Sequence, residues 1–166
     1  MITMGKPTGI GFPVSGVAPR PEIVREFGER ARYFNTFGAN PVAAAAGRAV
    51  LDVIKDEALL ANASHIGGLI RKGLMVIASR HYGLGDVRGL GLFLAVECVI
   101  DRDENGPNAA RAGFIVNHRR QNGVLISATG PGANTLNIRP PLVLEQPEAN
   151  LFLNALDAAF AAAIPQ

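Results

Sequence analysis

The chain has 166 residues, 48% of them hydrophobic and 18% charged, which describes one globular domain, or one and part of another, and excludes a disordered chain. The formal net charge is +2 and no basic block is denser than Arg119-Arg120, so a nucleic-acid partner is not expected. No apolar run approaches a membrane span, and the lone Cys98 excludes an internal disulfide or a cysteine metal centre, so a cytoplasmic protein is expected.

The first segment, Met4-Gly5-Lys6-Pro7-Thr8-Gly9-Ile10-Gly11-Phe12-Pro13, carries one of only three lysines. Lys55 and Lys72 lie in charge-bearing helical stretches, whereas Lys6 has no charged neighbour from Met1 to Pro19. A lysine boxed in by Gly and Pro is either a solvated amine near a terminus or a desolvated or paired one. A neutral amine on a constrained turn is what Schiff-base chemistry with a carbonyl cofactor needs. The pattern Gly9-Ile10-Gly11 is not a dinucleotide fingerprint, because Val14 stands where the third glycine belongs.

Phe12 to Ala18 predicts a short buried strand, and Pro21 opens a brief helix through Phe27. Tyr33-Phe34-Asn35-Thr36-Phe37-Gly38-Ala39-Asn40 is a loop, and Asn40 is placed to cap a helix from Pro41 to about Asp56. Its run Ala43 to Ala46, small on all faces, predicts a buried helix. A second, amphipathic helix runs from Ala58 to about Tyr82 through Leu59, Ile66, Leu69, Ile70, Leu74 and Ile77, with Gly67-Gly68 weakening its middle.

From Asp86 the character changes. Asp86 to Glu97 predicts two strand pieces broken at Gly89 and Gly91, and Asp101 to Pro107 a polar turn. Ala109 to Gln121 is helical, ended by Asn122-Gly123. Val124 to Ser127 and Thr135 to Ile138 predict strands, separated by the loop 129–134. Glu145 to Ile164 closes the chain as an amphipathic helix. The second half is thus a small sheet with helices on one face. Cys98 sits in an apolar run that suits packing, and His65, His81 and His118 lack metal-ligand spacing, so no metal site is expected.

Taken in order, these segments resemble the C-terminal part of a class III, pyridoxal-phosphate-dependent aminotransferase of fold type I. Residues 4–9 resemble the cofactor-lysine segment and residues 33–41 the phosphate-contacting loop. Asp86 to Phe93 and Asn137-Ile138-Arg139-Pro140-Pro141-Leu142 fall where the small domain is expected. With Val124 to Ser127, the chain is similar to the branch holding alanine–glyoxylate aminotransferase 2-like enzymes and ethanolamine-phosphate phospho-lyase.

The resemblance implies an α/β fold in which 1–56 is the end of the large cofactor domain, 57–85 a connecting helix and 86–166 the small α+β domain. It implies pyridoxal 5'-phosphate as cofactor, carried covalently by Lys6. Lys6 would also be the base that moves protons between substrate and cofactor. Thr36 would donate its hydroxyl to the cofactor phosphate of the other subunit of a homodimer or higher homo-oligomer, and Arg139 would clamp the substrate carboxylate. Arg88 would be structural, bonding carbonyls.

The implied reaction moves an amino group between an amino donor and a keto acid or aldehyde. A phospho-lyase acting on a phosphorylated amine and a non-catalytic aminotransferase fragment are the alternatives. Two positions depart from the family pattern: Ile10 replaces the Asn of Gly-Asn-Gly, and Ala39 replaces the second Gly of Gly-Gly-Asn-Pro. The latter change is mild unless position 39 needs positive φ. Family members are more than twice this length, the remainder preceding Lys6. The chain alone is therefore expected to be inactive, with Lys6 poorly ordered for want of a preceding strand and the Ala-rich helix partly uncovered.

Overall fold

A computed structural model describes residues 1–101, 103 and 106–163. It separates into two compact units, Met1–Ala58 and Leu59–Gln166. No helix among the described residues is long and apolar enough to cross a membrane.

The first unit opens with β1 (Ile2–Met4), which pairs antiparallel with β2 (Gly16–Ala18) so that Met4 faces Gly16. β1 is the strand thought to be missing before Lys6. The expected strand from Phe12 shortens to Gly16–Ala18, because Pro13 has no N–H to give a ladder. Helix α1 (Pro21–Arg30) runs one turn past the expected end, and none of its residues is buried.

Helix α2 (Pro41–Asp56) has the expected bounds, and Asn40 caps it by accepting from the Ala43 N–H at 2.9 Å. Only Ala43 of α2 is buried, so the small-sided helix lies largely uncovered, as expected of this chain alone. Alanine is also the best helix former, so a run of it need not mark a packed interior.

The second unit begins with α3 (Leu59–Arg80), which continues unbroken through Gly67-Gly68. A Cβ on Gly67 would run into the Gly91 carbonyl, so this glycine lets the helix approach the turn at Gly91-Leu92 closely. The strands β3 (Leu84–Leu90), β4 (Phe93–Cys98), β5 (Ser127–Thr129) and β6 (Thr135–Ile138) form an antiparallel sheet in the order β3-β4-β6-β5. A bulge shifts the β3–β4 register between Leu84 and Val87. The strand expected at Val124 begins only at Ser127, because the Val124 N–H still donates to the Arg119 carbonyl at the end of α4 (Ala109–Gln121).

Alternation along β4 buries Leu94, Val96 and Cys98 on one face. Against that face pack Ile66, Ile70, Leu74 and Ile77 of α3, Ala112 and Ile115 of α4, and Leu156 and Phe160 of α5 (Gln146–Ala162). Helix α3, set apart from the small domain on sequence grounds, is thus a core element of the second unit. Arg102, Glu104 and Asn105 of the expected polar turn, and Ile164 of the closing helix, lie outside the described residues.

Candidate active site

Lys6 follows β1 directly and begins a single 3-10 turn, Lys6–Thr8. The turn is closed by the Thr8 N–H and Thr8 Oγ1, which both donate to the Gly5 carbonyl, at 3.0 and 2.8 Å. Gly9 behind it is buried, and a side chain there would collide with the Phe12 carbonyl. The backbone around Lys6 is therefore pinned at both ends, while the Lys6 side chain is exposed and makes no ion pair among the described residues. Lys6 is accordingly neither desolvated nor paired within this unit. With Gly11, Phe12, Pro13, Val14 and Ser15 it lines a cavity of about 470 Å³.

Thr36 lies in the loop between α1 and α2. Asn35 Oδ1 accepts from the N–H groups of Phe37 and Gly38 at 3.1 and 3.0 Å, and its amide donates to the Tyr33 hydroxyl at 3.2 Å. Asn40 donates to the Phe37 carbonyl at 3.0 Å while it caps α2. Two asparagines thus do the bracing and capping. The exposed Thr36 hydroxyl bonds nothing among the described residues. Asn35 and Phe37 to Asn40 line a cavity of about 390 Å³ whose other wall is Phe12 to Ser15. The Lys6 cavity and the cavity at the loop 35–40 therefore share one wall, although Thr36 does not itself line either. Asn35 carries no signal in the motif readings above; an Asn two and three residues before a Phe-Gly turn is an Asx-turn signal that points to it.

Arg139 belongs to the second unit. It is the first residue past β6 and precedes Pro140-Pro141, which holds it extended. Its exposed guanidinium makes no hydrogen bond or ion pair among the described residues. It borders two cavities, one of about 550 Å³ shared with Glu148 and Phe152 and one of about 560 Å³ shared with Leu60, Leu90 and Phe93. Glu148, a carboxylate in the same cavity as Arg139, is a second residue the sequence did not single out.

Arg88 differs in kind. It donates to Asp86 at 2.9 Å and pairs with Glu97 at 2.7 Å, and its hydrogen bonds to Asp86 and then to Glu97 raise its pKa. Its partners are carboxylates rather than the carbonyls expected, and both contacts are made through Nη1. Cys98 has no exposed surface, and burial pushes its thiol up to about 12, which leaves it an inert packing group at neutral pH.

The class-III aminotransferase family model matches residues 1–160. The chain is 42% identical over 158 residues to ethanolamine-phosphate phospho-lyase homolog 1 of Caenorhabditis elegans, covering 95% of this chain and 34% of that protein. It is 40% identical over 157 residues to the mitochondrial alanine–glyoxylate aminotransferase 2 homolog 2 of Arabidopsis thaliana, covering 95% of this chain and 33% of that one. Among solved structures, a phospholyase from Arthrobacter in complex with phosphoethanolamine superimposes with a TM-score of 0.91 at 41% identity, over 96% of this chain and 38% of that one. The chain thus spans about a third of the length of the curated relatives it matches.

Proposed function

Because the chain belongs to the class-III aminotransferases, which are pyridoxal-phosphate-dependent enzymes, we propose that it carries the cofactor lysine, a phosphate donor and a substrate clamp of such an enzyme. The groups present fit that cofactor. A primary amine opens on one cavity, and the loop 33–40 carries an exposed, uncommitted hydroxyl that would face the cofactor of a second copy. When bound, pyridoxal phosphate supplies an aldehyde and an electron-withdrawing ring that accepts charge from a carbon losing its proton.

The chain's own residues would do the rest. Lys6 would hold the cofactor through its side-chain amine and, once the substrate amine has displaced it, would take a proton from the substrate carbon next to nitrogen and return it to the cofactor. The pinned turn fixes the Lys6 backbone beside the cavity, from which its side chain would reach the cofactor. Thr36 Oγ1 donates to a phosphate oxygen, across the subunit boundary of a cytoplasmic homodimer. Arg139, unlike Arg88 with its two carboxylate partners, has its whole planar fork available for a carboxylate. The reaction supported best is transfer of an amino group between an amine donor and a keto acid or aldehyde.

The placement of Lys6 carries this conclusion. Its test is to incubate the protein with pyridoxal phosphate, reduce with borohydride and map the labelled peptide. Label on Lys6, lost in Lys6→Ala, is the expected outcome; equal label on Lys55 and Lys72 would overturn it. A second assignment, a phospho-lyase, is favoured by the likeness to the Caenorhabditis and Arthrobacter proteins. In that case Arg139 would hold a phosphate instead of a carboxylate. Phosphate released from phosphoethanolamine without a keto acid selects the lyase, and amine appearing on the keto acid selects the transferase. Label on Lys6 with neither product selects a binding-only chain.

A further inference from the structure

The four residues around Thr36 divide their polar groups unevenly. Asn35 Oδ1 takes the N–H groups of both Phe37 and Gly38, and the Asn35 carbonyl also accepts from Gly38 at 3.2 Å. A Cβ on Gly38 would stand 3.1 Å from the Asn35 side chain, so the asparagine lies packed across the turn. The far side of the turn is held by the Asn40 amide on the Phe37 carbonyl. Thr36 is the residue around which this ring closes. Neither its hydroxyl nor its N–H makes a hydrogen bond among the described residues.

A free threonine in a loop commonly turns its hydroxyl onto a nearby backbone group. Here the nearest backbone donors are already taken by Asn35, so Thr36 is left as the outward donor. We propose that Asn35 is a positioning residue that presents Thr36 to the phosphate of the cofactor. It acts through Thr36 and does not itself touch the phosphate. Holding the loop before binding removes an ordering cost that would otherwise fall on phosphate capture. The inference rests on the Thr36 assignment above, not on the identity of the amine substrate.

The test compares the affinities of pyridoxal phosphate and pyridoxal, by absorbance titration, so that their ratio isolates the phosphate contribution. The proteins are the wild type, Thr36→Ala, Asn35→Ala, the double variant and Asn35→Ser. Each alanine variant is expected to lower the ratio about tenfold, the double variant no further than Thr36→Ala alone. Asn35→Ser, whose hydroxyl accepts more weakly from the N–H two residues on, recovers part of the loss. Amide exchange at Phe37 and Gly38 speeds up about tenfold in Asn35→Ala and not in Thr36→Ala.

An Asn35→Ala loss that persists undiminished in the Thr36→Ala background, or no loss at all, would overturn the role of Asn35 alone. An unchanged ratio in Thr36→Ala would overturn the Thr36 assignment and this inference with it. Borohydride labelling of Lys6 would stand in either case, so the two failures are told apart.

Discussion

In the second unit Leu74, Val96, Leu136 and Leu156 have no exposed surface, and three helices cover one face of a four-stranded sheet. In the first, Ala43 is the only hydrophobic side chain buried among the described residues, while Phe34 and Phe37 are more than four-fifths exposed. The unit with a core holds the proposed substrate clamp, and the unit without one holds Lys6 and Thr36. Apolar burial is the main force that fixes a chain in one arrangement. The first unit instead relies on short-range devices: a three-residue strand pair, a turn closed on Gly5, two asparagine braces and a helix cap. Measurements of global stability will therefore report on the second unit and hardly at all on the lysine.

The sharpest way to break that contrast is to cut the same side chain in each unit. Leu74→Ala, in the core under the sheet, is expected to cost about 2–5 kcal/mol. Leu51→Ala, on the open side of α2, should stay within about 0.5 kcal/mol. Urea unfolding followed by circular dichroism gives both values. Similar losses would mean that the first unit has a cooperative core of its own.

Arg119 sharpens the comparison from inside the core. Its guanidinium is fully buried, lies 4.2 Å over the Phe152 ring, and has no hydrogen-bond partner for any of its three nitrogens. Burial pushes its pKa down to about 10 from an ordinary 12.5. Contact with the aromatic face returns part of the desolvation cost. Replacement by Met, of similar length, should stabilise the protein by about 1–3 kcal/mol near neutral pH.

The pH dependence has a definite sign. Below pH about 10 the group is charged in both states and the penalty is complete. Between there and 12.5 the unfolded state binds the proton more tightly, so this group's contribution to stability rises with pH. The advantage of Arg119→Met should shrink as pH climbs past about 10. An advantage independent of pH up to 11 would show that burial is not what lowers this pKa.

The same division decides what could be read from the sequence. Elements whose signal is a periodic apolar face, such as α3 and α5, stood out because one unit's core dictates that period. Helix α2 is legible from its cap and proline, but not how much of it is covered, since alanine marks helix propensity as readily as packing. The strand before Gly16 was overextended through Pro13, and the Val124 strand was begun too early because a helix-end hydrogen bond leaves no mark in composition. At the site, Lys6, Thr36 and Arg139 were visible as residue types in motifs. Their surroundings were not: that Arg88 is paired and Arg139 is not depends on Asp86 beside it on β3 and on Glu97 across the β3–β4 pairing.

Backbone dihedrals were the least legible feature, and they supply the smallest expected effect. The two positions where the chain departs from the family's glycine and asparagine, Ile10 and Ala39, both have positive φ, at +39° and +57°. Position 39 therefore does require the left-handed region, which makes its alanine more than a mild change. A Cβ there costs about 1–2 kcal/mol, against which glycine would forfeit about 0.5–1 kcal/mol through the freer unfolded chain. Ala39→Gly should therefore gain only about 0.5 kcal/mol, and Ile10→Gly, relieving a β-branched residue, about 1 kcal/mol. Because global unfolding belongs to the other unit, the gain should appear as slower amide exchange at Gly38 and along the first turn of α2. Ala46→Gly, in the helix interior, should move the same amides the opposite way by about 1 kcal/mol. If Ala39→Gly speeds exchange as Ala46→Gly does, position 39 does not sit in the left-handed region, and the asparagine-braced turn around Thr36 is built differently.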